Sequence, residues 1–396
     1  MSNTLTAFNP EYWANEMQIV FHRENRAIAL ANTELRDVLV DGTTVHKPYR
    51  GPLAAQDYTK GTDITTFNDL GSTDESLTVD TTKIVPFYVD DLDKIQNKWD
   101  SAAIYAGDAQ RLLNNLIDQA VLGEYSNARN SITAGDLGGS GTGSATVNSA
   151  NIANVFAVAS RTLQRADVPS DDQVAVIGPR FLETLRLSLA GRETGFGDKV
   201  GMNGVVGNRF GFELILSNNI PFTAVFTSSD APSNSEYIYI DGVKFTFVSG
   251  DSDSAGEVKI GTEAETYASL VQAINNTGTA GVSNYCAVSD TNRRRLTKGS
   301  VTASFETHTL TVSGYGDVAV SEAASNVVIT SNSNFPLFMK RGAIDLVLQK
   351  VPSVEFRAAE KRLGKYIYPW MVYGKKTFED MKDAMVYLNM NTASWL

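Results

Sequence analysis

Leu92, Ile95, Trp99, Ala102, Ala106, Ala109, Leu113, Leu116 and Ala120 follow one another at steps of three and four, so a single helix face carries them all. Asp90, Asp91 and Asp93 stand at its start, where carboxylates complement the positive end of the macrodipole. Running to about Asn127, the predicted helix is roughly 54 Å long at 1.5 Å per residue, and Gly107 inside it costs about 1 kcal/mol against Ala. So long a helix with one apolar stripe is a strut lying across a sheet, and the rest of the chain has to supply that sheet.

Upstream, Asn9-Pro10-Glu11 reads as a helix start, with Asn as cap, Pro in the first turn and Glu at the positive end. Trp13, Met17, Val20, Ile28 and Ala31 follow at roughly helical spacing, as a short amphipathic helix packed on its own domain or an arm packed on a neighbour. From Asp41-Gly42 to about Lys83 the composition turns to Thr, Asp, Gly and Pro, with only short β-prone pieces such as Leu77-Thr78-Val79. So long a stretch without a core pattern is unusual inside a compact domain. It reads as an extended hairpin loop reaching away from its own core.

Downstream, the Gly/Ser tract from Gly135 to Ser144 is predicted to be a flexible loop. A helix (Ile152, Val155, Phe156, Ala159, Leu163), a strand at Val174–Ile177, a Gly178-Pro179 turn, a second helix through Leu189 and a strand at Phe212–Leu216 then make an α/β domain. Residues 228–330 differ in kind: Ser and Thr fill 27 of the 103 positions, and 6 basic residues face 12 acidic ones. Tyr237–Ile240, an Asp241-Gly242 turn and Val243–Val248 form a hairpin signal, followed by a short helix at Tyr267–Asn275 and strands at Val301–Phe305, His308–Val312 and Val327–Thr330. The reading is a small β-rich inserted domain with a polar, acidic surface. The last 60 residues return to strands through Ile344–Leu348 and Val354–Tyr373, with 10 basic residues against 6 acidic. An acidic region and a basic region on one chain suit self-association.

Composition removes whole classes of function. A chain of 396 residues with 42% apolar and 20% charged residues has enough core for two or three domains and is not disordered. A net charge of −11 argues against a protein that coats duplex DNA. The lone Cys286 forms no internal disulfide and no thiolate cluster, which fits a reducing cytoplasm. The first residues lack the basic start and apolar run of a secretory signal, and no apolar stretch is long enough for a transmembrane helix; the expectation is a soluble protein with no membrane partner.

Chemistry-bearing motifs are missing or incomplete. His22, His46 and His308 fall on three different predicted elements, and no HExxH, CxxC or GxSxG arrangement occurs; each His reads as a surface or half-buried residue. Asp251 to Glu257 begins like a calcium loop, but Ala255 occupies position five and Thr262 stands where the bidentate Glu belongs, so a polar hairpin turn is the better reading. Gly138–Gly143 lacks the Lys of a P-loop, and Gly195, Gly197, Gly201 and Gly204 miss the dinucleotide fingerprint; both read as mobile loops. Arg293-Arg294-Arg295 with Lys298 has no aromatic neighbours for stacking on bases and reads as a solvated turn or a contact with a neighbour's carboxylates. No catalytic site, cofactor or metal is expected.

Four stretches in order carry a resemblance: Asn9-Pro10-Glu11-Tyr12-Trp13; Val89-Asp90-Asp91-Leu92-Asp93-Lys94-Ile95-Gln96; Val174 to Leu185 with Ile177-Gly178-Pro179-Arg180; and Gly207-Asn208-Arg209-Phe210-Gly211-Phe212 through Ser217-Asn218-Asn219-Ile220-Pro221. With Tyr373-Gly374-Lys375-Lys376 they make the chain, outside residues 228–330, resemble the major capsid proteins of tailed bacteriophages. The resemblance implies an α+β fold of the Hong Kong 97 type. Residues 1–44 would be the N-terminal arm and 45–83 the extended loop. Residues 84–145, completed by 345–383, would form the peripheral domain with its spine helix. Residues 146–227, completed by 331–344 and 384–396, would form the axial domain, with 228–330 an inserted β-rich surface domain.

The resemblance further implies a homo-oligomer of pentamers and hexamers, an icosahedral head around double-stranded DNA, a portal and, in some members, decoration proteins. Because the arm motif begins at Asn9, a separate scaffolding protein is expected instead of a cleaved N-terminal segment. Assembly in the host cytoplasm and residence in the virion follow. The expected interface residues are Trp13 anchoring the arm, Arg50, Lys60 and Asp63 on the extended loop, and Arg362 with Lys365 receiving a neighbour's carboxylates. Lys60 lies where some members crosslink, but nothing fixes a partner and no bond is expected. A bacterial nanocompartment shell shares this fold and is the alternative; an α/β enzyme with a β accessory domain is the alternative of a different class.

Overall fold

The computed structural model describes residues 23–39, 42–51, 53–65, 67–68, 72–91, 101–190, 208, 210–359 and 362–392. The helix start at Asn9, Trp13, His22, residues 92–100 of the predicted strut and the glycines between 195 and 204 lie outside the described residues.

A 3-10 turn at Ile28–Leu30 and the one-turn helix α1 (Leu35–Val38) lead to β1 (Thr44–Arg50), β2 (Ser72–Thr78), β3 (Thr81–Ile84) and β4 (Phe87–Asp90). Helix α2 (Ser101–Leu122) follows, then β5 (Asn130–Ile132), α3 (Ile152–Arg165), β6 (Gln173–Ile177), α4 (Pro179–Ala190), β7 (Glu213–Leu216) and β8 (Pro221–Ser228). The next segment holds β9 (Tyr237–Ile240), β10 (Val243–Val248), β11 (Glu257–Lys259), α5 (Glu263–Asn275), α6 (Asp290–Lys298), β12 (Thr302–Glu306), β13 (Thr309–Tyr315), β14 (Val320–Ala323) and β15 (Val327–Asn334). The chain closes with β16 (Leu337–Lys340), β17 (Asp345–Ala358), β18 (Gly364–Lys376), α7 (Glu379–Lys382), β19 (Met385–Leu388) and β20 (Met390–Asn391).

Helix α2 is the strut. Ala106, Ala109, Leu113, Ile117 and Val121 are buried, so its innermost line runs in steps of four beyond Ala109, with Leu116 and Ala120 packed at its edge. The α-helix ends at Leu122 and tightens to 3-10 over Gly123–Asn127, where Ala128 N donates to Tyr125 O and Asn127 Nδ2 to Glu124. These local bonds replace the predicted continuation to Asn127. Asp90, predicted at the helix start, is instead the last residue of β4.

The sheet under the strut has the order β5-β19-β16-β6-β7. Its strand β6 is buried on both faces, which is why Val174–Ile177 reads as an unbroken apolar run. Ala175, Ile177 and Phe338 face α3 and α4, whereas Val174, Val176, Leu337 and Met339 pack in one core with Leu113, Ile117 and Val121 of α2. A second sheet, β17-β18-β3 with β4 also on β18, joins the same core through Leu346, Met371 and Tyr373. The Gly/Ser tract predicted as a flexible loop is closed on itself: Gly135 N donates to Gly141 O at 2.9 Å and Gly139 N to Ala134 O at 2.8 Å. With few side chains in the way, the backbone groups satisfy one another.

Strands β8 and β15 pair antiparallel and carry everything between them. The sheets β12-β13-β8-β15-β20 and β11-β10-β9-β14 enclose a separate core of Phe222, Phe226, Phe245, Phe247, Tyr267 and their neighbours. The β9–β10 turn is the two-residue hairpin the sequence predicts, with Asp241 at φ 53° and Gly242 at φ 73°. Two expectations fail here. Strand β11 runs parallel to β10, so residues 251–257 are a crossover and not a hairpin turn; Glu257 takes the amides of Asp253 and Ser254, and Asp251 takes Lys259 Nζ at 2.8 Å. Arg293–Arg295 lie in helix α6, not a turn, and Arg293 donates to Ile274 O at 2.7 Å and Ala273 O at 2.6 Å, closing the C-terminal end of α5.

The β13–β14 loop ties this segment back to the body. Gly316 N donates to Ile220 O at 2.7 Å. Asp317 Oδ2 accepts from Arg180 N at 3.0 Å, capping α4, and its Oδ1 accepts from Asn334 Nδ2 at 2.9 Å. Gly178 permits the approach, because a Cβ there would lie 2.9 Å from Asp317 Oδ1.

Candidate assembly surfaces

The β1–β2 hairpin is held firmly at its root and free at its tip. Leu39, Val45, Leu77, Val79, Val347 and Phe378 form a small buried cluster beneath it. The Lys47 and Lys376 ammoniums lie 4.6 and 5.1 Å from the Phe378 ring centroid, and Lys376 Nζ donates to Ser76 O at 2.8 Å. Asp345, 1% exposed, accepts from Asn32 Nδ2 at 2.8 Å and faces Lys47 at 3.7 Å, while burial pushes its carboxyl above the usual range. Gly374 lets β2 and β18 meet, since a Cβ would sit 2.5 Å from Thr78 O.

From this root the paired strands run to Arg50 opposite Ser72. Lys60 and Asp63 lie in the exposed tip, with Thr62 N donating to Thr59 O at 3.1 Å beside them. None of Arg50, Lys60 and Asp63 forms an ion pair with another described residue. The same tip carries apolar side chains that composition alone hides: Leu53, Tyr58, Ile64 and Phe67 are 58–80% exposed. Apolar residues inside a Thr-, Asp- and Gly-rich stretch were the available signal. A lone subunit has no reason to hold them in water on a projecting hairpin.

Arg362 and Lys365 flank the β17–β18 turn, both exposed, with Leu363 between them 76% exposed and Phe356 58%. Arg357 stacks over Tyr368 at 5.8 Å, and Tyr88 packs on Tyr366 at 5.3 Å, which stiffens this end of the ribbon. Lys350 and Trp370 both donate to Glu355 Oε1, at 3.0 and 2.8 Å, and keep its carboxyl low. The loop residues and the turn residues therefore occupy two separate patches, and no hydrogen bond or ion pair joins them among the described residues.

A third feature fixes where the chain enters the body. Asp118 of α2, fully buried, accepts from Ala27 N at 2.6 Å and Asn219 Nδ2 at 2.9 Å; burial is the dominant cause that pushes its carboxyl up. Among the described residues no group of three or more His, Cys, Asp or Glu is placed to hold a metal. His46 faces Asp74 at 2.7 Å, and His308 faces Glu263 at 2.8 Å. No described helix is long and apolar enough to cross a membrane.

No family model and no curated protein matches the chain. Solved structures do. A chain of Mycobacterium phage Che8 aligns with a TM-score of 0.59 at 17% identity, covering 96% of each chain. A chain in the capsid structure of cyanophage P-SCSP1u gives 0.57 at 13% identity, over 98% of this chain and 95% of that one. One in the mature capsid asymmetric unit of bacteriophage PhiM1 gives 0.52 at 12%, over 97% and 93%. The chain has the fold of phage capsid structures. At such identities the likeness lies in backbone geometry, and near-complete coverage in both directions makes the capsid fold the frame for the whole chain.

Proposed function

We propose that this chain is a major capsid protein, a structural subunit that self-assembles into pentamers and hexamers of an icosahedral phage head enclosing double-stranded DNA. The observation that carries the reading is a capsid fold matched over nearly its full length, from which a rooted hairpin projects exposed apolar side chains. A head-to-tail contact that closes into rings needs such an element, because each subunit must offer one surface and receive a different one. In this reading the fold is of the Hong Kong 97 type. The β1–β2 hairpin is the extended loop, α2 is the spine of the peripheral domain with β17 and β18, and the β5–β7 sheet is axial. The segment carried by β8 and β15 projects from the capsomer.

Arg50, Lys60 and Asp63 would bind a neighbour together with the apolar tip, Arg362 with Lys365 would receive carboxylates, and Trp13 would anchor the arm. A separate scaffolding protein, a portal and decoration proteins are the proposed partners. The net charge of −11 suits a container whose packaged DNA must slide without sequence-specific binding. The nanocompartment alternative is set aside because the matched structures are phage capsids.

Electron microscopy of the purified protein, coexpressed with and without its scaffolding gene, tests the reading. Rings, tubes or closed shells are expected, with scaffold dependence; a uniform monomer or dimer in both conditions overturns it. Replacing Lys60 and Asp63 together should impair assembly, and unchanged shell yield and stability would remove them from the interface.

A further inference from the structure

Four parts of the molecule meet at one guanidinium. Arg23 Nη1 donates to Asn219 Oδ1 at 3.0 Å and to Tyr315 O at 3.0 Å. Asn219 is fully buried and passes the contact to α2, donating to Asp118 Oδ2 at 2.9 Å and Asn115 Oδ1 at 2.8 Å. Tyr315 belongs to the segment carried by β8 and β15, at the end of β13. The next residue makes room: Gly316 has φ 118°, and a Cβ there would lie 2.9 Å from Arg23 Nη2. Burial pushes the Arg23 guanidinium below its usual pKa, and two carboxylates of the same segment, Asp241 in the β9–β10 turn and Asp317 in the β13–β14 loop, oppose that shift without forming an ion pair with it. A partly buried arginine in a glycine slot, with two carbonyl-type acceptors at 3.0 Å on two different parts of the chain, is a built site and not a surface pair. Arg26, three residues on, shows the contrast: among the described residues its ion-pair partner is Glu24, and both are mostly exposed.

Residues 23–28 are thereby fixed at two points, by Asp118 to the strut and by Arg23 to the base of the inserted segment. We propose that Arg23 is a positioning residue that couples the N-terminal arm to the segment carried by β8 and β15, so that this segment sets the arm's starting direction and, through it, shell geometry. The second half of this proposal rests on the capsid reading; the first half does not. Coupling of this kind is reciprocal, so loosening the base of the segment must loosen residues 23–28, and the converse.

The test uses the full chain with Arg23→Met, Arg23→Lys, Asp241→Asn and, as control, Arg26→Met. Asn suits the positive φ of position 241, so that substitution removes a charge and keeps the turn. Hydrogen exchange on unassembled subunits follows residues 23–31 and 313–320. Arg23→Met is expected to speed exchange about 10-fold or more in both stretches, and Asp241→Asn to speed it in residues 23–31, a region it does not belong to. Arg23→Lys should recover part of the protection, and Arg26→Met should change neither stretch. Should Arg23→Met fail to fold, Arg23→Lys and Asp241→Asn carry the test. Unchanged exchange in residues 313–320 on Arg23→Met, or equal loosening by Arg26→Met, overturns the coupling.

Electron microscopy of the same variants with scaffold reads the geometry. Shells of mixed size, or tubes, from Arg23→Met support the proposal, and uniform shells of wild-type size from a variant with loosened exchange overturn the geometric half. Wild-type protein that forms no assemblies at all would remove the capsid reading, while the exchange data would still decide the coupling.

Discussion

Asp317 makes a sharp test because its two oxygens serve two different donors. Oδ2 caps α4 at Arg180 N, and Oδ1 takes the amide of Asn334, a residue 1% exposed. Replacing Asp317 by Ala removes a cap worth about 1 kcal/mol. It also strands a buried amide donor at about 1–3 kcal/mol, which with the cap makes about 3 kcal/mol. Replacement by Asn behaves differently. The new side-chain oxygen keeps the Arg180 amide, and the new NH2 meets Asn334, whose own Oδ1 has no partner among the described residues and turns inward when its amide flips. One unpaired atom is exchanged for another, and the buried carboxyl, which burial pushes up in pKa, is replaced by a neutral group. The Asn variant should therefore cost no more than about 1 kcal/mol. Hydrogen exchange of the amides from Phe181 to Leu185 reads the difference, about 100-fold faster for Ala and under about 10-fold for Asn at 1.4 kcal/mol per decade. Equal damage from the two substitutions would refute the acceptor argument and make the charge itself the stabilising element.

Other consequences follow from the same reasoning. Gly374→Ala places a Cβ 2.5 Å from Thr78 O, so β2 and β18 must part and the thermal midpoint should fall by several degrees, whereas Gly107→Ala meets nothing within 4 Å and should gain about 0.5–1 kcal/mol in chemical denaturation. Burial raises the Asp118 pKa in the folded state, so its contribution is fully present below the unfolded value of about 3.9 and is lost as pH rises through the folded value. The stability gap between wild type and Asp118→Asn should therefore widen as pH falls toward 4; a gap that narrows contradicts the assignment. Arg293→Ala removes two charge-assisted bonds to α5 and should cost the inserted core about 2 kcal/mol, read as faster exchange in residues 270–276 with the body unaffected.

Patterns that repeat along the chain were legible in the sequence, and contacts between distant residues were not. The stripe through Ala106, Ala109 and Leu113 marks α2 because burial imposes its period on neighbouring residues. Asp241-Gly242 marks its turn because few residues adopt positive φ. Arg293–Arg295 reads as a turn from sequence because charge density hides a helix whose stability comes from Leu296, buried beneath it, and from the end of α5. The tract 135–144 reads as flexible because glycine content reports freedom in the unfolded chain, while the closing bond from Gly135 to Gly141 is invisible in composition. For the candidate surfaces, charged residues stood out in the sequence and the apolar ones did not. Phe67 and Leu363 look like core residues until the fold shows them in solvent.

Strands β8 and β15 leave the body side by side, with Ser228 opposite Val327. Across an antiparallel pair that is a gap of about 5 Å, close to the spacing between the ends of many small domains. In engineering terms the ribbon is a display port: a guest whose termini lie that close could replace the native segment without stretching the frame. The port is not neutral, however. Excision also removes the carboxylate that caps α4, the carbonyl that receives Arg23 and the apolar cover over Phe222 and Phe226 of β8, so a successful graft must return each of them or accept a loosened subunit.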